Sequence, residues 1–216
     1  TRLRNRIHLD PILLDLRHTV RQLGEANERI VTLDNLSKGF RDAVLYGDFI
    51  EGDTADKELV SRVLRDYDVD TVIHFAAHTI VPESVAQPLL YYDNNTAATR
   101  NLLQCCDEAG VRHFVFSSTA AVYGNPAGGV CGEDSPVAPI NPYGTSKLMS
   151  EWMLRDLAAA SALRYVSLRY FNVAGSDPAR QSMRAEFDGD SYILNGTKRF
   201  TTTGKNAGLI IVTAKT

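Results

Sequence analysis

Tyr143 and Lys147 stand four residues apart in the run NPYGTSKLMSE, a spacing that puts both side chains on one face of a helix. A phenol titrates at about 10 in water, too high for a base at neutral pH. A neighbouring ammonium favours the phenolate and lowers that value, which is what proton abstraction needs. Thr119 closes the run HFVFSST and offers a hydroxyl to the same substrate hydroxyl. Tyr-x-x-x-Lys alone occurs in many helices by chance, with a solvated Lys beside a half-buried Tyr as the plain alternative. Two contexts favour chemistry: Ser117-Ser118-Thr119 at a strand end, and Asn141-Pro142 where a helix opens.

The elements that must position these residues alternate between strand and helix. Residues 29–35 (RIVTLDN) form a short β-branched run that stops at Asp-Asn. Leu59, Val60, Val63 and Leu64 recur at helical spacing within 56–67. Residues 71–77 (TVIHFAA) are nearly continuous and apolar, as expected of a parallel strand covered on both faces. A helical pattern over 85–109 closes at Gly110, residues 113–119 read as a strand, 143–160 as a helix and 164–172 as a last strand. This alternation predicts a doubly wound, mostly parallel α/β sheet. Ligands of such sheets sit beyond the carboxyl ends of the strands, where Asp34, Asp53, Ala76, Thr119 and Asn172 fall.

Composition bounds the rest. The 216 residues carry 23 basic and 26 acidic side chains, net −3, and 44% are hydrophobic, an ordinary globular balance that disfavours nucleic-acid binding and disorder. Positive charge gathers at both ends, 1–17 with four Arg against two Asp and 179–216 with six basic against three acidic residues, so the middle is acidic. No apolar run approaches the roughly 20 residues of a membrane helix. Cys105, Cys106 and Cys131 make no CxxC pair and the first residues no secretory leader, so a soluble cytoplasmic protein is expected. His74 and His78 lack a carboxylate or Cys to complete a metal site, and none is expected.

The blocks HTVRQLGEA, VTLDNLSKGF, FIEGDTAD, VIHFAAHTIVPESV, YYDNNTAAT, FVFSSTAAVYG, NPYGTSKLMSE and LRYFNVAG occur in order over residues 18–175. Together they resemble the extended short-chain dehydrogenase/reductase family, in particular its UDP-hexose 4-epimerases. The resemblance implies an NAD-binding fold and epimerisation at C4 through a 4-keto sugar, with Tyr143 as base, Lys147 as its electrostatic partner and ribose ligand, and Thr119 as hydroxyl relay. It places Asp34 on the adenosine ribose, which excludes a 2′-phosphate and selects NAD over NADP. It further implies cofactor contacts from Asn35, Asp53, Thr54, Phe75, Ala76, Ala77, Thr79, Asn94, Ser117 and Phe171, and sugar-nucleotide contacts from Thr119, Tyr143 and Asn172. The family often has Lys where Thr79 stands. A homodimer through the long helices is implied by the family alone.

Both ends depart from that pattern. Residues 1–17 stand where the family has a first strand and a Gly-x-x-Gly-x-x-Gly turn, and no glycine precedes Gly24. Without that turn the pyrophosphate loses its cradle, and the neighbours of a missing central strand keep unpaired backbone groups. Weak NAD binding is expected. Beyond the core, 18–178, residues 179–216 carry the turn signals Asp188-Gly189 and Asn195-Gly196 and resemble a β-domain segment of the acyl-CoA dehydrogenases, an antiparallel hairpin tail. Three readings follow: an NAD-dependent epimerase or part of one, an inactive mosaic, and a nucleotide-binding scaffold without turnover. A related dehydratase is a further alternative, although Ala120 and Ala121 after Thr119 favour epimerisation.

Overall fold

The computed structural model describes residues 11–126 and 129–171 and the backbone of two strands in the tail. Five parallel strands run β1 (Val31–Asp34), β2 (Asp48–Glu51), β3 (Thr71–His74), β4 (His113–Thr119) and β5 (Arg164–Tyr170). The helices are α1 (Pro11–Glu25), α2 (Lys57–Asp66), α3 (Val81–Ala86), α4 (Pro88–Tyr91), α5 (Ala98–Ala109) and α6 (Pro142–Ala160). In the tail, β6 (Arg184–Phe187) and β7 (Tyr192–Asn195) pair antiparallel, as the turn signal at Asp188-Gly189 leads one to expect. The other tail residues, including Asn172, lie outside the described residues.

The strands form two sheets. β1 pairs with β2, Val31 opposite Asp48, while β4 runs between β3 and β5. Among the described residues β1 and β3 have no second neighbour, and they face each other across a cavity of about 1670 Å³. Its walls include Val31, Leu33, Val72 and Ile73, and α1 covers it with Leu16, Thr19, Val20 and Leu23. Two inward edges thus stand where a closed sheet would have another strand, as the unusual first residues led one to expect. Residues 12–16, whose apolar run imitates a strand, belong to α1 instead.

The core lies between the three-stranded sheet and its helices. Phe114 and Phe116 alternate with the half-buried Val115 and Ser117 along β4, and both are buried with Val60, Leu64, Leu102, Leu103, Leu154 and Leu163. Each such side chain contributes about 1.5–3 kcal/mol of burial. Asp56 caps α2 by accepting from Leu59 N at 3.0 Å. Gly110 closes α5 at φ 74°, a left-handed conformation that costs glycine nothing.

The helix expected over 85–109 is broken. It begins at Val81, stops at Gln87 and restarts at Pro88, because the proline ring disfavours helical geometry in the residue before it. A π-helical segment, Tyr92–Ala97, then leads into α5. The strands expected over 71–77 and 164–172 end at His74 and Tyr170, so Phe75, Ala76 and Ala77 leave the sheet as a loop.

Candidate functional site

α6 opens with Asn141, whose side chain accepts from Gly144 N at 2.8 Å, and Pro142 at the first helical position. Gly144 lets this end approach the 3₁₀ turn Ala120–Tyr123, since a Cβ there would lie 2.7 Å from the Ala121 carbonyl oxygen. The helix therefore meets the end of β4, and the Thr119 hydroxyl, which accepts from Ala121 N at 3.1 Å, faces the Tyr143 phenol. Burial raises the Tyr143 phenol above its ordinary value, and only the Thr119 hydroxyl opposes that shift.

This corrects the expectation that the Lys147 ammonium lowers the phenol. Lys147 Nζ donates to the Ser117 carbonyl oxygen at 2.8 Å and stands 4.8 Å from the Phe116 ring centroid. A free backbone acceptor within reach wins the ammonium. At 2% exposure Lys147 is brought down to about 7 by burial, so near neutrality it is close to half charged. His74, also buried, falls to about 3 through burial and then the Lys147 charge, and its Nε2 lies 3.0 Å from Thr99 Oγ1. Because Thr99 donates its own proton to the Asn95 carbonyl oxygen, the neutral ring carries its proton on Nε2. His74 is thus a satisfied core residue. Among the described residues no group of three or more His, Cys, Asp or Glu is placed to hold a metal ion.

A second cluster lies at the carboxyl ends of β1 and β2. Asp34 Oδ1 accepts from Leu36 N at 2.7 Å, Asn35 Nδ2 donates to Asp53 Oδ2 at 2.8 Å, and Asp53 Oδ1 accepts from Ala55 N at 2.8 Å. These bonds fix the three side chains at the mouth of the cavity. Asp34, Asn35, Asp53, Thr54, Phe75, Ala76, Ala77, Thr79 and Asn94 all line it, whereas Ser117, Thr119, Tyr143, Lys147 and Phe171 do not. Phe171 stacks on Tyr123 with ring centroids 6.3 Å apart.

The two clusters are joined by a residue that the sequence did not reveal. Asn95, 1% exposed, accepts from His78 N at 2.8 Å and donates to His78 O at 2.9 Å and to Ser146 Oγ at 3.1 Å. It clamps the loop after β3 to α6, one residue before Lys147. The π-helical segment presents its carbonyl oxygen to the hydroxyls of both Thr99 and Ser150. Tyr91 supports the same loop, its hydroxyl bonded to Ile80 and Glu83, and its ring meets Tyr143 edge-on. Glu151 was also missed, although its spacing of four from Lys147 was a usable signal.

Parallel strands, intervening helices and polar residues gathered at the strand ends make this a Rossmann-like α/β protein. The profile of the NAD dependent epimerase/dehydratase family matches residues 17–187. The UDP-glucose 4-epimerase of Azospirillum brasilense is 53% identical over 169 residues, covering 78% of this chain and 49% of that protein. The crystal structure of UDP-glucose 4-epimerase from Brucella ovis in complex with NAD superposes with a TM-score of 0.72 at 45% identity, covering 74% of this chain and 50% of that one. The UDP-Glc/GlcNAc 4-epimerase of Campylobacter jejuni gives 0.71 at 47% identity, with 74% and 51% covered. The chain belongs to the NAD dependent epimerase/dehydratase family and spans about half the length of these relatives.

Proposed function

We propose that residues 18–178 are the NAD-binding part of a UDP-hexose 4-epimerase, and that the observation carrying this reading is the meeting of Thr119 at the end of β4 with Tyr143 and the buried Lys147 of α6. NAD, when bound, supplies the hydride acceptor and donor. The residues fit it at both ends. Asp34, Asn35, Asp53 and Thr54 are pre-bonded polar groups suited to a ribose and an adenine. Phe75, Ala76, Ala77, Thr79 and Asn94 continue the lining of the cavity, and Ser117 and Phe171 would meet the cofactor beyond it, on β4 and after β5. Between these ends the glycine-rich cradle for a pyrophosphate is replaced by residues that enter α1 at Pro11. Affinity is therefore low.

The chain's own residues hold and move one proton. Thr119 and Tyr143 take the sugar C4 hydroxyl between them, and Tyr143 accepts its proton. Lys147, held on the Ser117 carbonyl one turn further along α6, is placed to hold the nicotinamide ribose. Asn172 and Thr119 hold the UDP-sugar. The exposed apolar side chains of α3, α4 and α6, among them Val85, Leu89 and Trp152, support a homodimer, and the usage of cysteine supports the cytoplasm. The split sheet favours a second reading, a nucleotide-binding chain without turnover.

Acid release of bound small molecules from the purified chain, followed by mass spectrometry and a UDP-galactose to UDP-glucose assay, separates the two. Bound NAD with turnover supports the epimerase. NAD without turnover supports the second reading, and an empty, inactive chain overturns both.

A further inference from the structure

Tyr143 and Lys147 continue one more turn along α6 to Glu151, so three ionisable side chains share one face. Glu151 is 6% exposed, a position where a lone carboxylate is strongly penalised. Ser118 Oγ donates to its Oε1 at 2.5 Å. Arg169 on β5 grips the same carboxylate, with Nη2 2.6 Å from Oε2 and Nε 3.0 Å from Oε1. The Arg169 Nη1 goes on to Tyr123 Oη at 2.9 Å, and the guanidinium stands 4.9 Å from that ring's centroid. Four elements meet on this group: α6, the end of β4, β5 and the turn Ala120–Tyr123.

Ser118 lies between the two residues that hold the proposed proton-transfer pair. The Ser117 carbonyl carries Lys147, and the Thr119 hydroxyl faces Tyr143. We propose that Glu151 is a positioning residue: by holding Ser118 and Arg169 it fixes residues 117–119 against α6 and thereby sets Lys147 on the Ser117 carbonyl and Tyr143 on Thr119. The proposal rests on the reading of Tyr143 as the proton acceptor. Arg169 neutralises the carboxylate at contact distance, so Glu151 acts through geometry and not through its charge. An ion pair that only tied β5 to α6 would have no need of Ser118.

Ser118→Ala is the decisive variant, because it cuts the link to β4 and leaves the pair of Glu151 and Arg169 whole. Glu151→Gln is its companion. The full chain, labelled with ¹³C at tyrosine Cζ and with Tyr143 assigned through Tyr143→Phe, is titrated by NMR. The expected result is a Tyr143 midpoint raised by about half a pH unit or more in both variants, as the phenol loses alignment with Thr119. In the epimerase assay kcat falls about tenfold while KM for the UDP-sugar stays within twofold. A Ser118→Ala protein with the wild-type Tyr143 titration overturns the proposal, whatever its kcat. Should Glu151→Gln fail to fold, Ser118→Ala decides alone. Absence of turnover in the wild type would remove the proton-acceptor reading and leave the NMR result to judge the positioning.

Discussion

Replacing Asn95 by alanine removes one small side chain and leaves its polar partners, Asn94 Nδ2 among them, with less than they need. His78 loses a partner for its N–H and for its carbonyl oxygen, and Ser146 Oγ loses a donor while keeping its own bond to the Tyr143 carbonyl. An orphaned buried group costs about 1–3 kcal/mol, and loop relaxation lets water reach part of the His78 backbone. A loss of about 2–4 kcal/mol is therefore expected. The natural probe is Trp152, the one tryptophan of the chain, which sits on α6 five residues beyond Lys147. With a urea m-value of about 2 kcal/mol/M, the fluorescence midpoint should fall by roughly 1–2 M. Asn95→Asp keeps the acceptor and loses the donor, and should fall between the two. A midpoint within 0.2 M (about 0.4 kcal/mol by that slope) of wild type for Asn95→Ala would refute the idea that this side chain clamps the loop to the helix.

Tyr143→Phe should abolish epimerisation while leaving the urea midpoint nearly unchanged, since the ring packs as before; retained turnover would take Tyr143 out of the proton path. Lys147 offers a test by pH. Its folded value of about 7 lies below the ordinary 10.5, so the native state binds fewer protons between these values and stability rises with pH across that window. The slope approaches about 1.4 kcal/mol per pH unit. Subtracting the profile of Lys147→Met from that of the wild type should isolate that slope, and a flat difference would contradict the buried amine. Replacing residues 7–17 with a β-strand and a Gly-x-x-Gly-x-x-Gly turn should tighten NAD binding at least tenfold by calorimetry; no gain would show that the pyrophosphate cradle is not the weak point.

Much of this architecture was visible along the chain because buried parallel strands are locally coded. HFVFSST and TVIHFAA are apolar on both faces, and the helices between them carry their own caps at Asp56, Gly110 and Asn141. The candidate site was visible as Thr119, Tyr143 and Lys147 for the same reason, one strand end and one helix face. What escaped was non-local. Nothing in YYDNNTAAT announces a π-helical segment, in which the Asn95 carbonyl accepts from Thr99 of α5 and from the distant Ser150 of α6. The partner of Lys147 was misjudged because the Ser117 carbonyl approaches only once β4 lies under α6. Glu151 drew no reading because its partner Arg169 lies 18 residues later and closes on it only once β5 and α6 are in place.

The cavity between β1 and β3 bears on how this protein comes apart. At roughly 30 Å³ per molecule, about 1670 Å³ admits on the order of 50 waters, so the facing strand edges are hydrated. A wet seam transmits little cooperativity. The half built from α1, β1 and β2 reaches the main core through Leu33 of β1, which packs against the cluster that holds Val60 and Leu64. Hydrogen exchange should therefore resolve two opening units of different free energy, with the β1 and β2 amides released first and those of β4 last. Asp34 and Asp53, proposed above to take the adenosine end, belong to the weaker unit, and Tyr143 and Lys147 to the stronger. A dinucleotide that touched both would act as a staple between them, raising the stability of the first unit far more than that of the second.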